Sequence, residues 1–220
     1  MSEITIIGGH GKVALQLCRL LSTQGETVNA VIRKEEQSQD VENTGATPVV
    51  ADVQDMDVAA MTELFSGQDA VVWSAGAGGG SQERTYAVDR DAAIRSMDAA
   101  AAAGVRRYVM VSYMGAGQDH GVPEDDDFYA YAQSKADADD HLRASSLDWT
   151  ILGPGMLTDD DASGAIALGR AGEDDNKNTA RGNVALVAAR ALADAKGTTG
   201  RFIEFADGDT PIAEALDSLD

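Results

Sequence analysis

The sequence predicts one doubly wound α/β domain, a three-layer arrangement in which helices cover both faces of a mostly parallel sheet. Short apolar runs recur with helical stretches between them: EITII at Glu3 to Ile7, TVNAVI at Thr27 to Ile32, TPVV at Thr47 to Val50 and AVVW at Ala70 to Trp73. Each run is too short for a helix and too continuous for a strand with one wet face. A glycine cluster, Gly8-Gly9-His10-Gly11, separates the first run from the first helical stretch. The alternation continues along the chain, and no linker-like segment divides it, which predicts right-handed crossovers within one sheet over residues 1–220.

Element by element, Lys12 to Gln24 sets Val13, Leu17, Leu20 and Leu21 at helical spacing. Asp57 to Phe65 and the alanine-rich Arg84 to Ala103 are the next helices, Tyr108 to Val111 is a fifth strand, and Phe128 to Ser145 is a charged helix. Trp149 to Leu152 makes a sixth strand, Asn183 to Ala195 a helix and Arg201 to Phe205 a seventh strand. Gly115 to Asp127 and Leu157 to Lys177 are long irregular pieces rich in Gly and Asp. In this architecture such loops follow strand carboxyl ends, where ligands bind.

The chain has 220 residues, of which 44% are hydrophobic, enough for one large core and incompatible with a disordered chain. It carries 37 acidic against 17 basic side chains, a formal charge of −20. Such a surface repels phosphate backbones and anionic lipids, so nucleic-acid and membrane-surface partners are excluded and a small-molecule ligand is expected. Cys18 is the only cysteine, so no internal disulfide forms, and a small core role suits it. With no basic head or cleavage site after Met1 and no apolar run near the roughly 20 residues that span a bilayer, a cytoplasmic monomer or homodimer is expected. His10, His120 and His141 are too scattered for a metal site, and Asp125 to Asp127 and Asp159 to Asp161 lack the alternation of a calcium loop, so no metal is expected.

Gly8, Gly11 and Ala14 form G-x-x-G-x-x-A between the first strand and first helix. Glycine permits the tight turn and close backbone approach to a pyrophosphate, and the helix N-terminus offers unpaired N–H groups and a positive dipole end. A dinucleotide loop is the sharper reading and a structural turn the plainer one. The second strand ends in Arg33 and Lys34, where a site for NAD places Asp or Glu and a site for NADP places a cation. With Lys12 they supply positive charge for an extra phosphate, unless they simply cap the strand in solvent. Asp52 and Val53 after the third strand, and Ser74-Ala75-Gly76 after the fourth, lie where the adenine and the middle of a dinucleotide would pass, or form ordinary loops.

Tyr131 and Lys135 form Y-x-x-x-K, one helical turn apart and therefore on one face. A phenol there can exchange a proton with substrate while the ammonium lowers its pKa and holds the nicotinamide ribose. Ser112, directly after the fifth strand, can bond a substrate carbonyl, and Tyr129 competes for the phenol role.

In order, Ile7-Gly8-Gly9-His10-Gly11-Lys12-Val13-Ala14, Val31-Ile32-Arg33, Ala87-Val88-Asp89-Arg90-Asp91, Val109-Met110-Val111-Ser112 and Leu147 to Leu152 with Pro154-Gly155 resemble the atypical short-chain dehydrogenase/reductases, a group that includes epimerase-like proteins. The resemblance spans essentially the whole chain. It implies a Rossmann fold with strand order 3-2-1-4-5-6-7, NADP as cofactor, and an active site at Ser112, Tyr131 and Lys135, with Asp89 where relatives carry an active-site Asn. It also implies cofactor contacts from the glycine loop and Pro154-Gly155. Gly153 replaces a common Arg and Asn183 a common Asp. Only 65 residues follow Gly155, so residues from about 154 to 220 form a small substrate-side portion that cannot enclose a large substrate. The size resembles biliverdin-IXβ and flavin reductases, which accept flat substrates. The expected function is an NADP(H)-dependent oxidoreductase acting on a small or planar carbonyl or conjugated acceptor. A non-catalytic NADP(H) sensor or assembly protein is the alternative, with a sugar-nucleotide epimerase or dehydratase behind it.

Overall fold

A computed structural model describes residues 1–78, 81–169 and 178–219. The chain opens with β1 (Glu3–Ile7), α1 (Lys12–Thr23) and β2 (Thr27–Ile32), then a 3₁₀ turn (Glu35–Gln37) and α2 (Ser38–Glu42) lead to β3 (Thr47–Val50). There follow α3 (Val58–Leu64), β4 (Ala70–Trp73), α4 (Gln82–Thr85), a π-helical segment (Tyr86–Ala92), α5 (Ala93–Ala102), β5 (Arg107–Val111), α6 (Tyr129–Ala144) and β6 (Asp148–Pro154). The remainder comprises β7 (Met156–Thr158), β8 (Ala165–Leu168), β9 (Asn178–Ala180), α7 (Arg181–Ala193), α8 (Ala195–Thr198), β10 (Arg201–Asp207), β11 (Thr210–Pro211) and α9 (Ile212–Asp217).

Among the described residues one nine-stranded sheet runs in the order β11-β8-β10-β6-β5-β4-β1-β2-β3. From β3 to β10 every pairing is parallel, which is the 3-2-1-4-5-6-7 order with β10 as the seventh strand. Beyond β10 the sheet continues through strands with no sequence signal: β8 pairs antiparallel with β10 and with β11. The stretch expected to be irregular from Leu157 thus contains β8, and β7 pairs with β9 in a separate ribbon. Short alanine-rich or polar strands lack the β-branched runs that marked the others. Residues 170–177 of that stretch lie outside the described residues.

Alternation along each strand sends neighbours to opposite faces. Ile6, Val72, Val109 and Leu152 pack toward α1 and α7 with Leu17, Leu21, Val184 and Val187. Ile7, Trp73, Tyr108, Met110 and Ile151 pack the other way against Met61, Phe65, Met97 and Leu142 of the α3, α5 and α6 layer. Both faces are therefore dry, as the continuous apolar runs required. Asp57 caps α3 by accepting from the Ala60 N–H at 2.8 Å, which stops the frayed first turn from competing with water. Buried Arg107 joins the layers by donating to the Asp148 and Ala191 carbonyls and the Thr150 and Thr198 hydroxyls. The helix expected over Arg84 to Ala103 holds its length, but its first half winds as a π-helix, a form common beside functional sites. That winding turns Asp89 inward, where it is fully buried.

Candidate active site

The β1–α1 turn fits its neighbours too closely for side chains. Gly8 has φ +80°, and a Cβ there would lie 2.6 Å from Ala75 Cα. At Gly9 it would meet Ala30 Cβ at 2.6 Å, and at Gly11 the Gly8 carbonyl oxygen at 3.2 Å. The turn is closed by the Gly11 N–H donating to the Gly8 carbonyl at 2.8 Å. Helix α1 then begins with no side-chain cap and no acidic residue in its first turn. Its first N–H groups and positive dipole end are therefore open to an anion.

Above this turn, at the carboxyl ends of β1, β2 and β4, lies a cleft of about 460 Å³. Of the residues singled out in the sequence, Gly8, His10, Gly11, Arg33, Asp52 and Val53 line it, with Ser74, Ala75 and Gly76 on the facing lip. Gly9, Lys12, Val13, Lys34, Ser112, Tyr131, Lys135, Pro154 and Gly155 do not, and Asp89 sits behind the lip. The polar cleft residues Gln37 and Arg84 carried no sequence signal, nor did Ala77 and Gly78.

His10 is tied to the segment after β2. Gln37 Oε1 accepts from the Lys34 N–H, which orients the amide so that its Nε2 donates to His10 Nδ1 at 3.1 Å. Nδ1 then accepts, leaving the Nε2–H to donate to Asp40 at 2.8 Å. Lys12 reaches across to Asp159, whose other oxygen accepts from Arg181 at 2.8 Å. Asp52 accepts from the Gln54 N–H at 3.1 Å. Arg33 is exposed and, among the described residues, forms no ion pair or side-chain hydrogen bond.

Behind the lip the polar groups are buried. Asp89 accepts from the Ala77 N–H at 2.9 Å, and its other oxygen has no hydrogen-bond partner among the described residues. Burial raises its pKa, with Lys135 and Arg84 pulling the other way. A Cβ on Gly76 would press on that carboxylate at 3.1 Å, so the acid supports the cleft lip directly.

Tyr131, Lys135 and Asp139 follow at successive turns of α6. Lys135 is 2% exposed and donates to the Val111 carbonyl at 2.8 Å, with its Nζ 5.8 Å from the Tyr131 ring centre. Burial, then the charges of Asp89 and Asp139, push the Tyr131 phenol well above its usual range. Ser112 donates to Asp139 at 2.7 Å, and the second Asp139 oxygen is buried without a hydrogen-bond partner among the described residues. Burial pushes Asp139 up to about 6 against the donation from Ser112 and the charge of Lys135. Tyr131 packs with Tyr113 and Phe128, ring centres 5.7 and 5.2 Å away, and Phe128 is 44% exposed. Tyr129 turns instead to His120 at 5.5 Å. Asp139 went unnoticed in the sequence, although it lies four residues past Lys135 and hence on the same face.

The departures from the family pattern have local reasons. A Cβ on Gly153 would meet the Phe202 ring at 2.6 Å, so a longer side chain would require that ring to move. Asn183 donates to Asp207 at 2.7 Å, and an ionised Asp in its buried place would set a second carboxylate against the half-buried Asp207. Pro154 and Gly155 close the β6 end, the Pro154 carbonyl accepting from Met114 and the Gly155 N–H donating to Phe205 and Thr179.

A glycine turn opening a helix at the head of parallel βα units, under a cleft at the strand carboxyl ends, defines a Rossmann-type dinucleotide-binding protein. Residues 8–195 match the NAD(P)H-binding family, and the chain belongs to it. A Bacillus subtilis protein described as an uncharacterized sugar epimerase is 34% identical over 221 residues, covering 99% of this chain and 100% of its own. A Bacillus halodurans structure, provisionally described as an NAD-dependent epimerase/dehydratase, superposes with TM-score 0.90 at 31% identity over 99% of this chain and 100% of its own. An oxidoreductase from Lactococcus lactis superposes with TM-score 0.85 at 31% identity over 99% and 96% of the two chains. These relatives place the chain among the atypical short-chain dehydrogenase/reductases. Among the described residues no helix is long and apolar enough to cross a membrane, and no His, Cys, Asp and Glu cluster could hold a metal ion.

Proposed function

We propose that the protein is an NADP(H)-dependent oxidoreductase reducing a small or planar carbonyl or conjugated acceptor. The observation that carries this is Tyr131: a phenol without a protein hydrogen-bond partner among the described residues, kept protonated by burial and two nearby acids. It is linked to the cleft through Asp89, which contacts the lip at Ala77 and acts electrostatically on Tyr131. A phenol that carries its proton at neutral pH is in the form a donor needs, which matches the reductive direction.

The cleft residues fit the cofactor. Gly8 and Gly11 form a cradle that a Cβ would fill, and α1 presents open N–H groups to a diphosphate. Arg33, unpaired at the end of β2, is placed for the adenosine phosphate that distinguishes NADP from NAD. NADPH, when bound, supplies the hydride. Tyr131 gives its proton to the acceptor oxygen or conjugated anion, the Lys135 ammonium steadies the resulting phenolate, and solvent restores the proton. The exposed Phe128 ring beside Tyr131 offers a flat acceptor a stacking surface.

A second reading has its own support. Lys135 is committed to Val111 and Ser112 to Asp139, as they would be in a protein that binds NADP(H) without turnover. Tyr131→Phe separates the two. With a panel of quinones, flavins and aldehydes, kcat is expected to fall about 10²- to 10⁴-fold while NADPH affinity is unchanged. Tight NADPH binding with no oxidation by the wild type would favour the sensor.

A further inference from the structure

Asp139 is a buried carboxyl behind the cleft lip that the proposed reaction does not use. It is fully buried, one turn past Lys135, and among the described residues its only hydrogen-bond partner is Ser112 at 2.7 Å. We propose that Asp139 is a positioning residue whose hydrogen bond takes the Ser112 hydroxyl proton and so decides whether Ser112 can donate to the acceptor. The proposal deepens the oxidoreductase reading and rests on it.

A serine hydroxyl has one hydrogen and two lone pairs. While Asp139 is ionised that hydrogen is held by the carboxylate, and Ser112 offers only lone pairs to anything else. Tyr131 is then the sole donor to an acceptor oxygen. When Asp139 is neutral its own O–H needs an acceptor, because a buried donor left unpaired is costly. Ser112 Oγ is the acceptor in reach, and donation from Asp139 frees the serine hydrogen for substrate. The pair is thus a two-position hydrogen bond: with Asp139 neutral, two donors face the acceptor oxygen, and with Asp139 ionised, one.

The charged and titratable groups around the carboxyl are few. On α6 they are Lys135, Arg143, Asp140 and Tyr131; after β5 there is Tyr113; and from the π-helical segment Asp89 acts on the same Tyr131 and Lys135. His141 is turned away to Asp98 of α5 at 2.8 Å. Burial, the largest influence on Asp139, places its titration at about 6, so both arrangements are populated near neutral pH.

The test has two arms. In protein labelled with ¹³C at Asp carboxyls, the Asp139 resonance, assigned by its loss in Asp139→Asn, is expected to titrate at about 6 and to move upward in Ser112→Ala, which removes a donor to the carboxylate. Titration in the ordinary carboxylate range, or the same titration with and without Ser112, overturns the proposal without any acceptor being known. In the second arm NADPH oxidation with menadione is followed against pH. The wild-type rate is expected to rise as pH falls through the Asp139 titration, and Asp139→Asn to flatten that limb. A limb that survives in Asp139→Asn overturns the inference. Absence of wild-type oxidation by menadione and the wider panel counts against the oxidoreductase reading and leaves the NMR arm to decide the hydrogen bond.

Discussion

At the carboxyl ends of β1 and β2 the cleft keeps open groups: α1 has no side-chain cap, and Arg33 is exposed and, among the described residues, unpaired. At the end of β5 the groups are closed in on one another. Lys135 holds Val111, Ser112 holds Asp139, and Asp89 holds Ala77, all three side chains at most 4% exposed. The first region awaits a charged ligand and is ready to meet it. The second is dry, so each charge there is strengthened by the low local dielectric and is held neutral or paired. On the proposed function, binding and chemistry would thus rest on different physics, with Asp89, which contacts the cleft lip at Ala77 and acts on Tyr131, as the joint between them.

The contrast can be broken from either side. The largest effect is expected from Tyr131→Phe, the loss in kcat stated above with NADPH affinity intact. Next is Gly8→Ala. The positive φ costs about 1–2 kcal/mol and overpacking about 1–3 kcal/mol, because the new Cβ meets backbone of the β4 loop on all sides. Urea denaturation is expected to show a loss of about 2–5 kcal/mol, with NADPH binding lost as well; a variant of wild-type stability would remove the claim that the turn is sterically fixed.

Asp139 sharpens the contrast through pH. Its carboxyl titrates at about 6 in the fold against an ordinary 3.8, so between those values the folded state binds more protons than the unfolded chain. Its share of stability is present below that window and is lost as pH rises through it, by at most about 3 kcal/mol. Asp139→Asn is expected to remove this slope, measured as the difference in unfolding free energy between the two proteins at about pH 4 and about pH 8.

Much of this was legible in the sequence, and the remainder fails for identifiable reasons. The parallel strands declared themselves because both sheet faces are covered, so Ala70 to Trp73 or Thr27 to Ile32 had to be apolar throughout. The glycine turn and Y-x-x-x-K were visible because each is local, within one turn or one helix face. Ser112 and Asp139 are 27 positions apart, and Lys12 and Asp159 are 147 apart; no spacing rule joins such pairs. The π-helical winding that buries Asp89 leaves the helical apolar pattern nearly unchanged. Strand β8 owes its place to antiparallel register against β10, and β11 to antiparallel register against β8, not to their own composition.

Smaller effects concern the open region. Arg33→Ala is expected to lower the preference for NADPH over NADH about 10- to 100-fold, the worth of a hydrogen bond to a charged group, with NADH affinity unchanged. Asp159→Asn breaks the Lys12 pair, whose side chains are 66% and 64% exposed. Thermal unfolding is expected to register less than about 0.5 kcal/mol, and a larger loss would mean the strap from the β7 loop is structural.

The separation of the two regions is tested most directly by a double-mutant cycle on Arg33→Ala and Tyr131→Phe, with NADPH affinity and NADPH oxidation measured on all four proteins. Sites without shared partners combine to within about 0.5 kcal/mol. The expected result is that Arg33→Ala alone weakens NADPH binding, Tyr131→Phe alone removes oxidation, and the double variant shows both losses added. A tenfold loss of NADPH affinity in Tyr131→Phe, or oxidation that survives it, would contradict the account.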